Sequence, residues 1–403
     1  MRILVISHMY PSNFNEVNGI FVHQQVKQLR KQGSEVKVIS PTPQTPFPFK
    51  YFFNKWKKYS EIPEKMIWEG IEVYYPRYLS FPKALFLESS GSRMYRGIND
   101  TVDEIYKDFK FDIIHSHVAL PDGYCGMLVA KKYKKPLIVT IHGNDFYNTI
   151  YRNKKCRGNI KKVMSFSNKI IVVSNNLQKI GKEILDVEKN KLKVISNGID
   201  LKMFQANITN DSIVEEFRDK RIIVSVGYLI KRKAHRYVIE SLSKINLKYP
   251  NIIYLIGGDG PEENNLRKLA KKTGLEESIK FLGRINHQEV IKIMNSCEIF
   301  ILPSWNEAFG VVYLEAMANG KPVIACKGEG IDGIIKDKKT GILVKPKDVD
   351  SIVEAIDYLF SNPKKSREIG QRAKKLVLEN YTWEKNAEKT IEIYQEALYK
   401  ENS

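Results

Sequence analysis

Cysteine is scarce in this chain, which has four in 403 residues. They are Cys125, Cys156, Cys297 and Cys326, which lie far apart and form no CxxC pair or other metal-binding spacing. Such spacing argues against a disulfide framework and against a metal held by cysteine. We therefore expect reduced thiols in a cytoplasmic protein.

Long hydrophobic runs are missing as well. No run approaches the roughly 20 apolar residues that cross a bilayer. The N-terminal stretch MRILVISHMYP is apolar for only a few residues and has no small-residue cleavage site. It therefore predicts a first strand and not a signal peptide. A peripheral place on the inner face of the cell membrane stays open.

Negative charge is in short supply. The chain has 46 Asp/Glu against 65 Lys/Arg, a net charge of +19, and residues 1–200 alone carry +14. A basic face attracts nucleic acid, anionic lipid headgroups or a phosphate-bearing acceptor. A lysine-rich composition with solvated surfaces is the plain alternative. Because no nucleic-acid motif is found, we expect no nucleic-acid partner.

What the chain does contain is alternating strand and helix patterns. Apolar strand patterns at 2–7, 35–40, 112–117, 136–142 and 169–174 alternate with helical ones, and a second alternating block starts at 221. This order predicts an α/β protein with two doubly wound, Rossmann-like parallel sheets. The length fits two domains, which we place at 1–205 and 206–381. Residues 41–92 are predicted to be an insertion with a strand near 71–75. The strands' carboxyl ends should face a central cleft.

Two glutamates in the segment 303–325, PSWNEAFGVVYLEAMANGKPVIA, are the strongest functional signal. Glu307 falls in a predicted strand-to-helix loop, and Glu315 falls in the helix that starts at about Gly310. Loop amides and a helix N-terminus form a site for an anion. A nucleotide-sugar would fit, with Glu307 toward sugar hydroxyls, phosphate at the helix start and Glu315 toward ribose hydroxyls. The alternative is that Glu307 caps the helix and Glu315 is a solvated surface residue.

The same segment resembles the EX7E signature of the retaining glycosyltransferases of family 4, which have the GT-B fold. The matching residues include Glu307, Phe309, Gly310, Glu315 and the run EAMA, while Ala308 stands where glycine is usual. The resemblance implies a donor site on the second domain and an acceptor site on the first. It also implies that a C-terminal helix, 382–400, packs back on the first domain.

The resemblance assigns further site residues. Lys233 would meet the donor diphosphate and stabilise the charge of the leaving group. The family's arginine position holds Tyr228, so either Arg232 supplies the missing charge or Tyr228 donates a hydrogen bond. His142, in TIHGND, resembles the histidine that contacts the donor sugar, although a structural role is the ordinary one for such a residue.

Other donor-binding candidates follow from the same resemblance. They are Gly19, where backbone would approach the phosphate, Arg284, whose backbone would meet the nucleobase, and Phe309, Gly310 and Val311 at the helix start. The loop 328–331 is a weaker candidate.

Two motifs are discounted. The GxGxxG spelling at 328–333 follows no first strand, and the DxD spelling of Asp348 and Asp350 begins a predicted helix, where aspartate is a common N-cap. We expect no metal and no cofactor; the nucleoside diphosphate sugar is a co-substrate.

The stretch 45–58 mixes aromatic residues with lysines. Aromatic rings at headgroup level and lysines toward anionic lipid predict a contact with a membrane surface. Packing of these rings on the first domain is the alternative.

The function predicted from these signals is transfer of a sugar from a nucleoside diphosphate sugar, UDP in preference to GDP, to a glycan or lipid-linked acceptor in cell-envelope polysaccharide or glycolipid synthesis. A hexosyltransferase is expected. A nucleotide-sugar epimerase of the GT-B fold and a non-enzymatic binder of anionic surfaces remain as alternatives.

Overall fold

The computed structural model describes residues 1–44, 51, 54–204, 216–217 and 219–399. The chain divides into two compact units. Unit 1 consists of Met1–Asn197 together with the chain from Trp383, and unit 2 is Gly198–Thr382. No helix in the described ranges is both long enough and apolar enough to cross a membrane.

Unit 1 is built on an eight-stranded sheet. Its strands, in chain order, are β1 (Arg2–Ile6), β2 (Glu35–Ile39), β4 (Lys65–Trp68), β5 (Ile71–Tyr74), β7 (Ile113–His117), β8 (Leu137–Ile141), β9 (Lys169–Val172) and β10 (Leu192–Val194). Their spatial order is β10-β9-β8-β7-β1-β2-β5-β4, and only β4 runs antiparallel to its neighbour. The short strands β3 (Thr42–Pro43) and β6 (Arg77–Tyr78) pair separately.

The helices of unit 1 lie between these strands, as the alternating pattern predicted. They are Ile20–Lys31, Asn54–Ser60, Ser90–Asp108, Tyr124–Tyr133, Ile150–Arg152, Lys154–Phe166, Asn175–Leu185 and, from the end of the chain, Trp383–Tyr399. The last helix contributes Tyr394 to the core of unit 1. Its hydroxyl lies 2.6 Å from Nδ1 of His115 on β7.

Unit 2 has a six-stranded sheet in which every neighbouring pair is parallel. Its strands are β11 (Arg221–Val226), β12 (Ile252–Gly257), β13 (Ile279–Gly283), β14 (Ile299–Ile301), β15 (Val323–Cys326) and β16 (Ile342–Val344), in the order β13-β12-β11-β14-β15-β16. The helices are His235–Ile245, Glu263–Lys272, His287–Ser296, Val311–Ala318, Val349–Ser361 and Pro363–Asn380. The central strands are buried throughout, which explains their continuous apolar runs.

The predicted boundary at 205/206 differs from the division at Asn197/Gly198. The reason is a contact with the end of unit 2: the Ile199 amide donates to the Tyr381 carbonyl at 3.0 Å, and Ile199 forms a β-bridge with Thr382. Ile199 therefore pairs with the segment that leaves unit 2.

The predicted insertion at 41–92 is more fully integrated than expected. Its strand β5 pairs in parallel with β2, and β4 then extends the main sheet by one antiparallel edge strand. The insertion thus enlarges the sheet of unit 1.

Strand order changes direction once in each sheet. In unit 1 this switch point lies between β1 and β7, and in unit 2 it lies between β11 and β14. Open parallel sheets bind ligands beyond the carboxyl ends of the strands at such points. The residues that directly follow these four strands are therefore the ones to consider first.

Candidate functional site

The switch point of unit 2 is bordered by the loop that follows β14. The loop ends at Gly310, whose φ is 81°, and the helix Val311–Ala318 begins there without a side-chain cap. No acidic residue lies in the first turn of this helix. The first amides of a helix lack intrahelical partners, so this end is suited to an anion.

Glu307 pairs with Lys233. Lys233 lies on a short 3-10 turn, Lys231–Lys233, that follows β11. Its Nζ is 2.6 Å from Glu307 Oε2, and the two side chains are only 13% and 11% exposed. Ser304 Oγ lies 3.4 Å from the same carboxylate oxygen. The structure thus brings together the two residues that the sequence proposed for the diphosphate and the sugar.

A third carboxylate holds this loop in place. Glu329 Oε2 accepts from the Glu307 amide at 3.0 Å, and the Gly330 amide donates to the Glu307 carbonyl at 2.9 Å. Burial raises the pKa of the Glu329 carboxyl. The loop 328–331, a weak candidate from sequence, therefore fixes the backbone of Glu307 from its other side.

Arg232 extends the positive charge beside Lys233. Its guanidinium lies 3.8 Å from Glu307 Oε2 and donates to the Asn306 carbonyl at 3.3 Å. Tyr228, at the family's arginine position, has an exposed side chain. Of the two substitutes considered for the missing arginine, Arg232 is the one next to the glutamate.

Glu315 is not a solvated surface residue. Its Oε1 lies 2.8 Å from Nε2 of His287, and its side chain is mostly buried. The hydrogen bond to Glu315 raises the pKa of His287. Sequence reasoning missed His287, which directly follows the helix cap Asn286 and carried no motif.

The remaining donor-binding candidates of unit 2 differ in exposure. Phe309 is buried, while Gly310 and Val311 are partly exposed at the start of the helix. Arg284 follows β13; its side chain is 85% exposed, and its Nε lies 3.8 Å from Asp259 Oδ2. A contact of the nucleobase with the backbone near Arg284 stays a proposal.

His142 and Gly19 belong to unit 1. His142 directly follows β8, and its Nε2 lies 3.0 Å from Nδ1 of His117, with the two rings stacked at 13°. Burial lowers the pKa of His142 to about 3, so the imidazole is neutral. A neutral ring of this kind can donate one hydrogen bond to a sugar hydroxyl or accept one from it.

Gly19 has a conformational reason to be glycine. Its φ is 63°, and a Cβ built there would lie 2.2 Å from the Met9 carbonyl oxygen. The loop after β1 therefore packs directly against the start of the helix Ile20–Lys31. A role of Gly19 in donor binding stays a proposal.

The two discounted motifs behave as ordinary structure. Asp348 caps the helix Val349–Ser361 by accepting from the Ser351 amide at 3.0 Å, and Asp350 lies 2.6 Å from Lys244 Nζ. The GxGxxG spelling forms the loop that holds Glu307. Within the described ranges, no group of three or more His, Cys, Asp or Glu residues could hold a metal ion.

Most of the predicted membrane-contact stretch, 45–58, lies outside the described residues.

Comparison with known proteins agrees with these observations. The family described as Glycosyl transferases group 1 matches residues 207–376, and the family described as Glycosyltransferase Family 4 matches residues 19–203. The first match lies within unit 2, and the second covers most of unit 1 and the first few residues of unit 2.

Individual relatives point the same way. An uncharacterised glycosyltransferase of Methanocaldococcus jannaschii is 30% identical over 311 residues, 75% of this chain and 82% of that protein. A Bacillus subtilis glycosyltransferase named for teichuronic acid biosynthesis is 28% identical over 363 residues, 88% of each chain. HepE of Anabaena, solved with UDP and glucose, superposes with a TM-score of 0.73 at 18% identity, over 98% of this chain and 100% of that one. The chain therefore belongs to the group 1 glycosyltransferases of family 4 and has the GT-B fold.

Proposed function

We propose that this protein is a retaining hexosyltransferase that uses a nucleoside diphosphate sugar as donor. The observation that carries the proposal is the Lys233–Glu307 pair beside an uncapped helix N-terminus, at the switch point of unit 2. A diphosphate needs cations and amide donors, and sugar hydroxyls need carboxylates. This site offers both, from the two segments that follow β11 and β14.

Each residue has a proposed part in donor binding. Lys233 and Arg232 neutralise the diphosphate. The diphosphate also lies at the backbone amides of the helix start, where Phe309, Gly310 and Val311 are. Glu315 accepts hydrogen bonds from the ribose hydroxyls, and Arg284 marks the place of the nucleobase by family resemblance. By family resemblance, Gly19 is assigned to donor binding and His142 to catalysis.

Retention of configuration follows from front-side attack. The bond from the anomeric carbon to the diphosphate oxygen breaks, and the bond to the acceptor oxygen forms on the same face. A donor phosphate oxygen takes the proton of the acceptor hydroxyl, and Lys233 stabilises the growing negative charge of the leaving group. Glu307 orients the sugar hydroxyls. A covalent glycosyl-enzyme intermediate is the alternative, and the sequence offers no evident nucleophile for it.

The donor nucleotide and the pathway are proposed from relatives. HepE was solved with UDP and glucose, which supports UDP over GDP. The Bacillus subtilis relative is named for teichuronic acid biosynthesis, which supports an acceptor in cell-envelope polysaccharide or glycolipid synthesis. No metal is assigned to the reaction.

We also propose that the protein is cytoplasmic and contacts the membrane through residues 45–58. Vesicle flotation with and without anionic lipid would test this contact.

Nucleotide binding tests the donor assignment. We expect UDP and UDP-sugars to raise the melting temperature more than GDP does. A ligand at 100 times its Kd stabilises the folded protein by about 2.7 kcal/mol. The Lys233→Ala variant should show a smaller shift, whereas Lys231→Ala, changed at an exposed lysine on the same turn, should keep it. Equal shifts by UDP and GDP would contradict the UDP assignment.

Product analysis tests the reaction type. Incubation with a UDP-sugar and no acceptor should leave the sugar stereochemistry unchanged, and an epimer would indicate the epimerase alternative. With an acceptor, proton NMR of the new glycosidic linkage should show the anomeric configuration of the donor. Inversion would contradict the retaining mechanism.

A further inference from the structure

Glu315 is placed to face the start of its own helix. It lies four residues after Val311, the first residue of the helix Val311–Ala318, so the two share a helix face with about 6 Å between them along the axis. The Cα–Cβ bonds of a helix tilt toward its N-terminus, which directs the Glu315 side chain toward the first turn. In a nucleoside diphosphate the ribose is bonded directly to the phosphates. A diphosphate at the helix start therefore brings its ribose within reach of this carboxylate.

His287 holds the same carboxylate from a second helix. Its Nε2 lies 2.8 Å from Glu315 Oε1. His287 is the first residue of the helix His287–Ser296, whose start is fixed by a capping box. The Asn286 side chain accepts from the Glu289 amide at 3.0 Å, and Glu289 Oε2 accepts from the Asn286 amide at 2.7 Å. Because the backbone at His287 is fixed in this way, its imidazole gives the carboxylate a defined position.

One oxygen of the Glu315 carboxylate is left for a ligand. Within the described ranges, Oε1 is bonded to His287, and Oε2 accepts no hydrogen bond from the protein. The Glu315 side chain is 13% exposed, so water or a ligand can reach part of it. An ionised carboxylate has about four acceptor positions on its two oxygens. Two neighbouring hydroxyls, such as those of a ribose, match an acceptor of this kind.

The contact between His287 and Glu315 does more for direction than for stability. The His287 side chain is 47% exposed, and water screens an ion pair with a partner of that exposure. The hydrogen bond to Glu315 raises the pKa of His287, and the nearby Asp200 carboxylate acts in the same direction. A protonated imidazole donates from both ring nitrogens and accepts from neither. His287 therefore serves as the donor that orients an acceptor.

The segment that carries His287 is also the one proposed to meet the nucleobase. His287 lies three residues after Arg284, which directly follows β13. The base and the ribose of a nucleoside are joined by one bond, so the groups that recognise them must lie close together. The segment 284–287 offers its backbone to the base and, through Glu315, an acceptor to the ribose.

From this juxtaposition we propose that His287 is a positioning residue for ribose recognition. It holds Glu315 through Oε1 and leaves Oε2 for the ribose hydroxyls, so that the site selects ribonucleotides over nucleotides that lack these hydroxyls. The inference rests on the proposed function and adds to it a residue that sets nucleotide selectivity. His287 acts only through the carboxylate and does not touch the nucleotide.

A pair of nucleotides tests this selectivity on the full-length protein. UDP and 2′,3′-dideoxy-UDP share the base and the diphosphate and differ in the two ribose hydroxyls. A hydrogen bond to a charged group is worth about 10- to 100-fold in affinity. Isothermal titration calorimetry should therefore show that the wild type binds UDP at least about 10-fold more tightly. Equal affinities would overturn the proposal.

Substitutions of His287 separate positioning from a general disturbance of the site. His287→Ala should weaken UDP binding about 3- to 10-fold, because binding must then order a free Glu315 side chain, and should leave dideoxy-UDP binding within about twofold. His287→Gln places an amide N–H near the position of Nε2 and should keep most of the UDP affinity. An unchanged UDP affinity in His287→Ala, or an equal loss for both nucleotides, would overturn the proposal.

Two further variants secure this comparison. Gln288→Ala truncates the next exposed side chain of the same helix and should change neither affinity. If His287→Ala does not fold, His287→Asn replaces it, because its amide is too short to take the place of Nε2. The same loss of UDP affinity is expected, and an unchanged affinity would again overturn the proposal.

A double-mutant cycle shows how His287 acts. Glu315→Ala should bring UDP and dideoxy-UDP to similar affinities. Adding His287→Ala to Glu315→Ala should cost no further UDP affinity, because the positioning residue then has nothing left to position. A further loss would show that His287 touches the nucleotide itself and would overturn the positioning role.

The same titrations separate this inference from the proposed function. If the wild type binds neither UDP nor GDP, the donor site is rejected. If the wild type binds UDP without preference over dideoxy-UDP, or if His287→Ala keeps the preference, the donor site stands and the role of His287 is rejected.

Discussion

Lys233 Nζ and Glu307 Oε2 lie 2.6 Å apart although 74 positions separate them in the chain. The lysine follows β11 and the glutamate follows β14, the two strands that border the switch point of unit 2. In this arrangement each charge offsets the other in a mostly buried place. A donor diphosphate would compete with Glu307 for the lysine and so leave the carboxylate for sugar hydroxyls.

Replacing Lys233 with alanine should weaken both donor binding and turnover. The ammonium is proposed to contact the diphosphate in the ground state and more strongly in the transition state. A lost charge-assisted hydrogen bond is worth roughly 1.5–3 kcal/mol, or about 10- to 100-fold in the donor Kd. Calorimetry with UDP and initial rates would measure both effects. Lys231→Ala is the matched control, and equal losses in the two variants would contradict a specific role for Lys233.

Replacing Glu307 should affect turnover more than donor affinity. A carboxylate that orients sugar hydroxyls contributes little to binding of the nucleotide, and we expect kcat to fall about 100-fold with a donor Kd within a fewfold of wild type. Glu307→Gln keeps the shape and an acceptor oxygen, and Glu307→Ala removes both, so the glutamine variant should retain more activity. An unchanged rate in Glu307→Ala would show that the role assigned to this residue is wrong.

Replacing Gly19 with alanine should destabilise unit 1. The left-handed backbone at φ 63° costs a non-glycine residue about 1–2 kcal/mol, and the new Cβ would also lie 2.2 Å from the Met9 carbonyl oxygen. Gly33→Ala is the control, because its φ is 86° but a Cβ there meets nothing within 4 Å. Urea denaturation followed by circular dichroism should show a larger loss for Gly19→Ala. Equal losses would mean that the loop moves away without cost.

Replacing His287 with glutamine should change how stability depends on pH. The Glu315 carboxylate raises the pKa of His287, so the folded state holds this proton more tightly than the unfolded state does. The resulting stability is fully present below the unfolded pKa of about 6.5 and is lost as pH rises through the folded value. The difference in unfolding free energy between wild type and His287→Gln should therefore be larger at pH 5.5 than at pH 8.5. A constant difference would contradict the ion pair.

Most of the fold was predictable because its strands are buried runs. β1, β8 and β12 are almost entirely apolar, and buried parallel strands have this signature. The edge strand β10, with the sequence LKV, was missed, because a short segment with a central lysine has no distinct pattern. β4, at the opposite edge, was missed because its residues are exposed or only partly buried.

The candidate site was predictable where one stretch of chain contains it. Glu307, Gly310 and Glu315 share a strand–loop–helix segment, so spacing alone placed them. Contacts between distant segments left no local signal: the partner of Glu315 is His287, and Asp122 holds His8 from 114 positions away. The available sign of His8 was its place two positions after the first strand, and this could be weighed only once the strand order was known.

The helix Trp383–Tyr399 has a consequence for how the protein is made. It supplies Tyr394 to the core of unit 1, together with Asn386, which lies 2.7 Å from Gln25 Nε2. A ribosome synthesises these residues after all of unit 2, so the first 197 residues wait for their last core element while 185 others emerge. Nascent unit 1 therefore lacks this part of its core while all of unit 2 is made, and a stop codon or protease cut before residue 383 would damage the half of the enzyme that was made first.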